Sequence, residues 1–213
     1  MARKTYSWKL VCLAALFCVA LIVSNIVAGK LIIAPFGLTL TAAVWLFPVV
    51  YIIGDVVPEV YGLETARKII LLGFVLNAIV ALFFWLVLVL PFPPFWDGQE
   101  AFKTVLGLVP RLVIASFAAY LVGTNLNAWV LVKIKALTNG KWLWMRTIGS
   151  TIVGELVDSA IFVTIAFYGS MPLSVLLGMI LAQATFKTTY EIVATPLTYV
   201  IVKWFKREEG IAY

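Results

Sequence analysis

Four stretches without a single charged side chain, at 10–29, 31–54, 69–96 and 112–132, constrain this chain more than any other feature. Each reaches the length of about 20 residues that a helix needs to cross the hydrocarbon core. Inside lipid the backbone must satisfy its own hydrogen bonds, and a helix does so within one segment. Two more apolar stretches, about 147–168 and 180–202, are long enough only if ionisable groups are tolerated within them. The pattern predicts an all-α integral membrane protein, a single transmembrane domain over 1–213. Its six transmembrane helices are expected at about 9–29, 38–60, 67–91, 110–133, 147–168 and 173–204. Composition agrees: 12% of residues are charged, against about 25% in soluble domains.

Orientation follows from lysine and arginine near the helix ends. With the N-terminus inside, the cytoplasmic segments hold Arg3, Lys4, Lys9, Arg67, Lys68, Lys133, Lys135, Lys141, Arg146, Lys203, Lys206 and Arg207. The outer segments hold only Lys30, Lys103 and Arg111. Both termini are therefore expected in the cytoplasm. Trp8, Trp96, Trp142, Trp144 and Trp204 fall near expected interfaces, where an aromatic belt belongs. A short interfacial helix is expected from Gln99 to Val109. The first run is longer than a signal-peptide core and is read as the first membrane helix, not as a cleaved leader.

Several function classes drop out. Histidine is absent, which removes imidazole-based catalysis and His-ligated metals. Cys12 and Cys18, six apart, point to different sides of a helix and form no redox pair. The net charge of +6 is dispersed in short clusters, which argues against nucleic acid as a partner. No GxxxxGK[ST] element occurs, so the chain binds no ATP through a P-loop. No cofactor and no metal site are implied.

The positive signal is charge inside the apolar stretches. STIVGELVDSAIFVTIAF (150–167) carries Glu155 and Asp158, and AQATFKTTYEIVATPLTYVIV (182–202) carries Lys187 and Glu191. Each such group costs ~2.5–3.5 kcal/mol at mid-bilayer unless it is sheltered. The spacings of three and four put each pair on one helix face. The two helices run antiparallel through YGSMP (168–172), and Glu155 and Lys187 are equidistant from Met171. The register predicts a Glu155–Lys187 pair near the midplane, Asp158 level with Gln183, and Glu191 about one turn nearer the cytoplasm. One lysine against three acids points to a polar site rather than a closed structural pair, which is the competing reading.

Other polar groups extend the candidate set. YIIGDVVPEVYG (51–62) places Asp55 and Glu59 four apart beside Pro58, which cannot donate to the carbonyl of Gly54. Two readings compete there: an interrupted helix lining a transport site, or a solvated helix end answering Arg67 and Lys68. Asn25, Asn77, Asn125 and Asn127 are amides that bridge helices or, for the deep Asn77, face a ligand. The match of IIGDVV (52–57) to IVGELV (152–157) suggests a three-plus-three inverted repeat. Ala115, Ala119 and Gly123 form a small-residue stripe for close helix approach, either within the chain or in a homodimer.

SNIVAGK (24–30), GDVVPEVYG (54–62), RTIGSTIVGELVDSAIF (146–162) and FKTTYEIVATPLTY (186–199) give the chain a resemblance to a known family. It resembles the queuosine precursor transporters, also called the vitamin uptake transporter family, of bacterial inner membranes. The likeness runs along nearly the whole chain. It implies six helices and import of small-molecule 7-deazaguanine bases, the cyano compound preQ0 and the aminomethyl compound preQ1. A guanine-like edge offers adjacent N–H donors that a carboxylate accepts in two bonds, and its carbonyl suits Lys, Asn or Gln. Glu155, Asp158 and Glu191 are the candidates for the donor edge. Lys187, Asn77 and Gln183 are candidates for the carbonyl or a ring acceptor, and Tyr190 for stacking or a hydroxyl contact. Asp55, Glu59 and Asn25 complete the expected substrate-binding set.

Two other functions compete. The chain could be the substrate-binding subunit of an ATP-driven vitamin uptake complex. An intramembrane aspartyl protease using Asp55 and Asp158 is the enzyme alternative, but its GxGD element is missing: Ile52, Ile53 and Gly54 precede Asp55. A transporter, not an enzyme, is the expected class.

Overall fold

The computed structural model describes residues 7–138 and 143–210. Arg3, Lys4, Lys141 and Trp142 lie outside the described residues, as do the side chains of Trp144 and Arg146. The helices are α1 (Trp8–Val27), α2 (Phe47–Tyr61), α3 (Leu63–Val89), α4 (Gln99–Leu106), α5 (Val109–Leu137), α6 (Leu143–Phe167) and α7 (Leu173–Glu208). Among the described residues, four helical runs are long and apolar enough to cross a membrane: Trp8–Val27, Leu63–Val89, Gln99–Leu137 and Ile148–Phe167. With 36 residues α7 is also long enough, but it carries Lys187 and Glu191 mid-length. The protein is an all-α membrane protein in its main architecture.

One expected helix starts late. The helix expected over 38–60 begins only at Phe47, because residues 31–45 form other structure. Leu31–Ile33 pairs antiparallel with Thr39–Thr41, with Ile32 opposite Leu40. Pro35 and Gly37, at a φ of 72°, turn the chain between them. β-branched residues and a Pro–Gly turn favour this hairpin over a helix. A 3-10 turn, Ala42–Trp45, then leads into α2. Leu40 and Val44 of this segment pack with Ala182 of α7, near Phe47 and Phe186.

The backbone of α2 stays helical through Pro58, so the interrupted helix weighed for this segment is not present. Pro58 lies three residues before the helix ends at Tyr61, and the helix runs on through it although the Gly54 carbonyl loses its usual donor.

The most extensive helix contact joins α5 and α6. Ala115 and Ala119 are fully buried there. A Cβ on Gly123 would stand 2.9 Å from the Asp158 Cβ, and one on Gly154 would stand 2.8 Å from the Asn127 Cβ. The small-residue stripe is thus filled by α6 of the same chain and gives no argument for a homodimer. Arg111 donates from Nε to the carbonyl of Ile165 (2.6 Å) and from NH2 to that of Tyr168 (2.7 Å). These carbonyls are among the orphans at the C-terminal end of α6. Gly169, at a φ of 84°, and the Ser170 N–H to Phe167 carbonyl bond then turn the chain into α7.

The opposite ends of α1 and α7 meet. Lys9 Nζ lies 3.0 Å from Glu208 Oε2, and Tyr61 donates to Glu209 Oε1 at 3.0 Å. Along α7, Leu176 and Met179 are packed in one apolar cluster and Val202 in another. Between them, from Gln183 to Thr198, α7 lines a cavity.

Candidate functional site

The cavity holds about 390 Å³, within the roughly 300–1,000 Å³ typical of small-molecule sites. Its charged wall residues are Asp55, Glu155, Asp158, Lys187 and Glu191, drawn from α2, α6 and α7.

Lys187 is the centre of the site, and 6% of its surface is exposed. Its ammonium donates to Asp158 Oδ2 and stands 3.4 Å from Glu155 Oε2. The Phe47 ring faces the same ammonium at 5.3 Å, close enough for a cation–π contact. The expected Glu155–Lys187 pair is present, with Asp158, placed by register opposite Gln183, as a second partner. Glu155 and Asp158 sit three apart on α6, so one lysine spans both. Two carboxylates on one desolvated ammonium leave a formal excess of negative charge even within this trio.

Around it the wall is aromatic and amide-rich. Tyr51 donates to Glu155 Oε2 at 3.5 Å, and its ring stacks near that of Tyr190, with centroids 6.4 Å apart and planes inclined by 30°. One turn along α7 from Lys187, Glu191 Oε1 accepts from the Thr151 hydroxyl at 3.3 Å. Asp55 lines the cavity from α2, as does Gln183 from α7, with 2% of its surface exposed.

Three expected residues divide differently. Asn25 lies on the wall, but its Nδ2 donates to Asn77 Oδ1 (3.2 Å) and to the Leu21 carbonyl (3.1 Å). Asn77 is not on the wall; it is 1% exposed and donates to the Gly73 carbonyl, so it bridges α1 and α3. Glu59 is also off the wall, exposed at the end of α2, 3.7 Å from Lys206. The two acids of GDVVPE therefore part: Asp55 turns to the cavity and Glu59 to solvent, where it meets Lys206 rather than the expected Arg67 and Lys68.

Tyr51, Phe47 and Thr151 are wall residues that the sequence reading missed. Helical spacing carried the signal, since Phe47, Tyr51 and Asp55 recur every four residues and Thr151 precedes Glu155 by four.

Residues 41–201 match the model of the family described as "Putative vitamin uptake transporter". The chain belongs to this family. The matched segment includes every charged residue of the cavity wall. A relative from Bacillus subtilis, named "Probable queuosine precursor transporter", is 31% identical over 82% of this chain and 76% of its own. One of the same name from Haemophilus influenzae is 33% identical over 58% of this chain and 50% of its own. A "Queuosine precursor transporter" from Escherichia coli is 26% identical over 78% and 73%. No solved structure matches. As a vitamin uptake transporter the chain is a multi-pass protein of the bacterial inner membrane and belongs with transporters rather than enzymes.

Proposed function

We propose that this protein imports queuosine precursors, the 7-deazaguanine bases preQ0 and preQ1, through the cavity between α2, α6 and α7. The observation that carries this reading is Lys187 held between Glu155 and Asp158 on the wall of a membrane-embedded cavity. Such groups are costly in lipid and mark ligand or ion pathways. Relatives that bear the transporter name support the substrate class. The wall suits a flat, donor-rich heterocycle. Glu155, Asp158 and Glu191 accept N–H bonds, Lys187 and Gln183 can answer a carbonyl, and the Tyr51–Tyr190 pair offers aromatic faces.

The membrane arrangement in this proposal has six crossings and both termini in the cytoplasm. The Lys9–Glu208 pair supports it, because an even number of crossings returns the chain to its starting side. The 15 residues of α2 span ~22 Å at 1.5 Å each. The 3-10 turn and hairpin before it extend that crossing. Gly54–Asp55 of α2 and Gly154–Glu155 of α6 line the same cavity from the second long helix of each half, which supports the three-plus-three inverted repeat.

Purified protein alone in liposomes should take up labelled preQ0 or preQ1, and Glu155→Gln or Lys187→Met should abolish it. Unchanged uptake in both variants defeats the site. Uptake that appears only with an added ATP-driven complex defeats the carrier in favour of a binding subunit.

A further inference from the structure

Among the described residues, four buried side-chain atoms have no hydrogen-bond partner: Ser24 Oγ, Asn127 Oδ1, Ser159 Oγ and Gln183 Oε1. A buried polar atom that has lost water without gaining a partner is destabilising, so native folds keep few and each calls for a reason. Gln183 is the most enclosed of those that line the cavity. Its neighbours in the chain and one turn back are Ala182, Ala184 and Met179, all buried and apolar. A leucine or methionine would fill the same volume without an orphaned oxygen.

The position is also aligned with the charged trio. Gln183 lies four residues before Lys187 on α7, so both project from one helix face. Two of the three ammonium hydrogens of the lysine are directed at Glu155 and Asp158, and the amide oxygen receives no hydrogen bond from it. An amide oxygen only accepts. What completes it must bring a hydrogen into the cavity.

We infer that Gln183 is a specificity-determining residue, whose Oε1 accepts a hydrogen bond from an N–H of the transported base. This rests on the transport reading above. A guanine-type base carries such hydrogens on its lactam nitrogen, its pyrrole nitrogen and its exocyclic amine. A site built around a buried polar group strongly rejects a ligand lacking the complementary hydrogen, because the group is then left unpaired.

The test measures binding of preQ1 and three analogues to the purified full-length protein. One analogue lacks the 2-amino group, one is methylated on the lactam nitrogen, and one on the pyrrole nitrogen. Wild type should bind at least one analogue about 10- to 100-fold more weakly than preQ1. Gln183→Leu should shrink that same preference to about threefold or less, since the orphaned oxygen is gone. Gln183→Met, closer in shape, makes the same measurement if the leucine variant does not fold. Equal wild-type affinity for all four bases, or a preference that survives in either folded variant, overturns the inference. Wild type that binds none of the four overturns the transport reading itself, so the two failures are distinguishable.

Discussion

At the scale of single residues, the decisive fact is that Lys187 is enclosed and doubly paired. The side chains of Lys187, Glu155 and Asp158 are 7%, 16% and 21% exposed. Breaking a buried pair from one side leaves an uncompensated charge and costs ~3–5 kcal/mol. Lys187→Met should therefore lower stability by about that much in thermal unfolding in detergent. Adding Glu155→Gln and Asp158→Asn to it should recover part of the loss, since no stranded carboxylate of the pair then remains. The exposed Lys9–Glu208 bridge provides the contrast: Lys9→Met should change stability by less than about 1 kcal/mol. The two acids of α2 should also separate by function. Asp55→Asn should reduce uptake in liposomes, whereas Glu59→Gln, at an exposed end beside Lys206, should leave it unchanged. Equal loss in both variants would contradict their division between cavity and solvent.

At the scale of elements, the site depends on how closely α5 and α6 approach. Gly154 precedes Glu155, and a Cβ there meets the Cβ of Asn127, an atom anchored to its own backbone. Gly154→Ala must push the helices apart. It should cost about 1–3 kcal/mol by overpacking and weaken ligand binding, because Glu155 and Asp158 move with α6. Gly178→Ala on α7 meets nothing within 4 Å and should hold or raise stability, by ~0.5–1 kcal/mol of helix propensity. Thermal unfolding of the two variants side by side checks both expectations. Sequence periodicity revealed the long apolar helices well, since lipid demands length and few charges. It misread the start of α2, because residues 31–54 carry no charge and only the β-branched residues and the Pro–Gly turn mark a hairpin within them.

At the scale of the whole molecule, the stretch of α7 that lines the cavity lies between an apolar cluster shared by α5, α6 and α7 and another shared by α2 and α7, and the α1 and α7 ends are tied together at one side. Single cysteines introduced near residues 7 and 210 should both be labelled by a membrane-impermeant reagent only from the cytoplasmic side of oriented membranes. Labelling of one from each side would refute the even number of crossings.

The chain's own order of residues determined that it lives in a membrane, that Glu155 and Lys187 share a depth, and that acids outnumber bases there. Those properties follow from hydrophobic length and from helical rise across a tight turn, which are local rules. Only tertiary packing decided that Asp158 joins the lysine, that Asn77 is spent on Asn25, that Glu59 turns away to Lys206, and that Tyr51 faces the cavity. These outcomes depend on the rotation of each helix about its axis. That rotation is set by what its neighbours leave room for, such as the Gly123–Asp158 and Gly154–Asn127 contacts between α5 and α6, and no single segment encodes it.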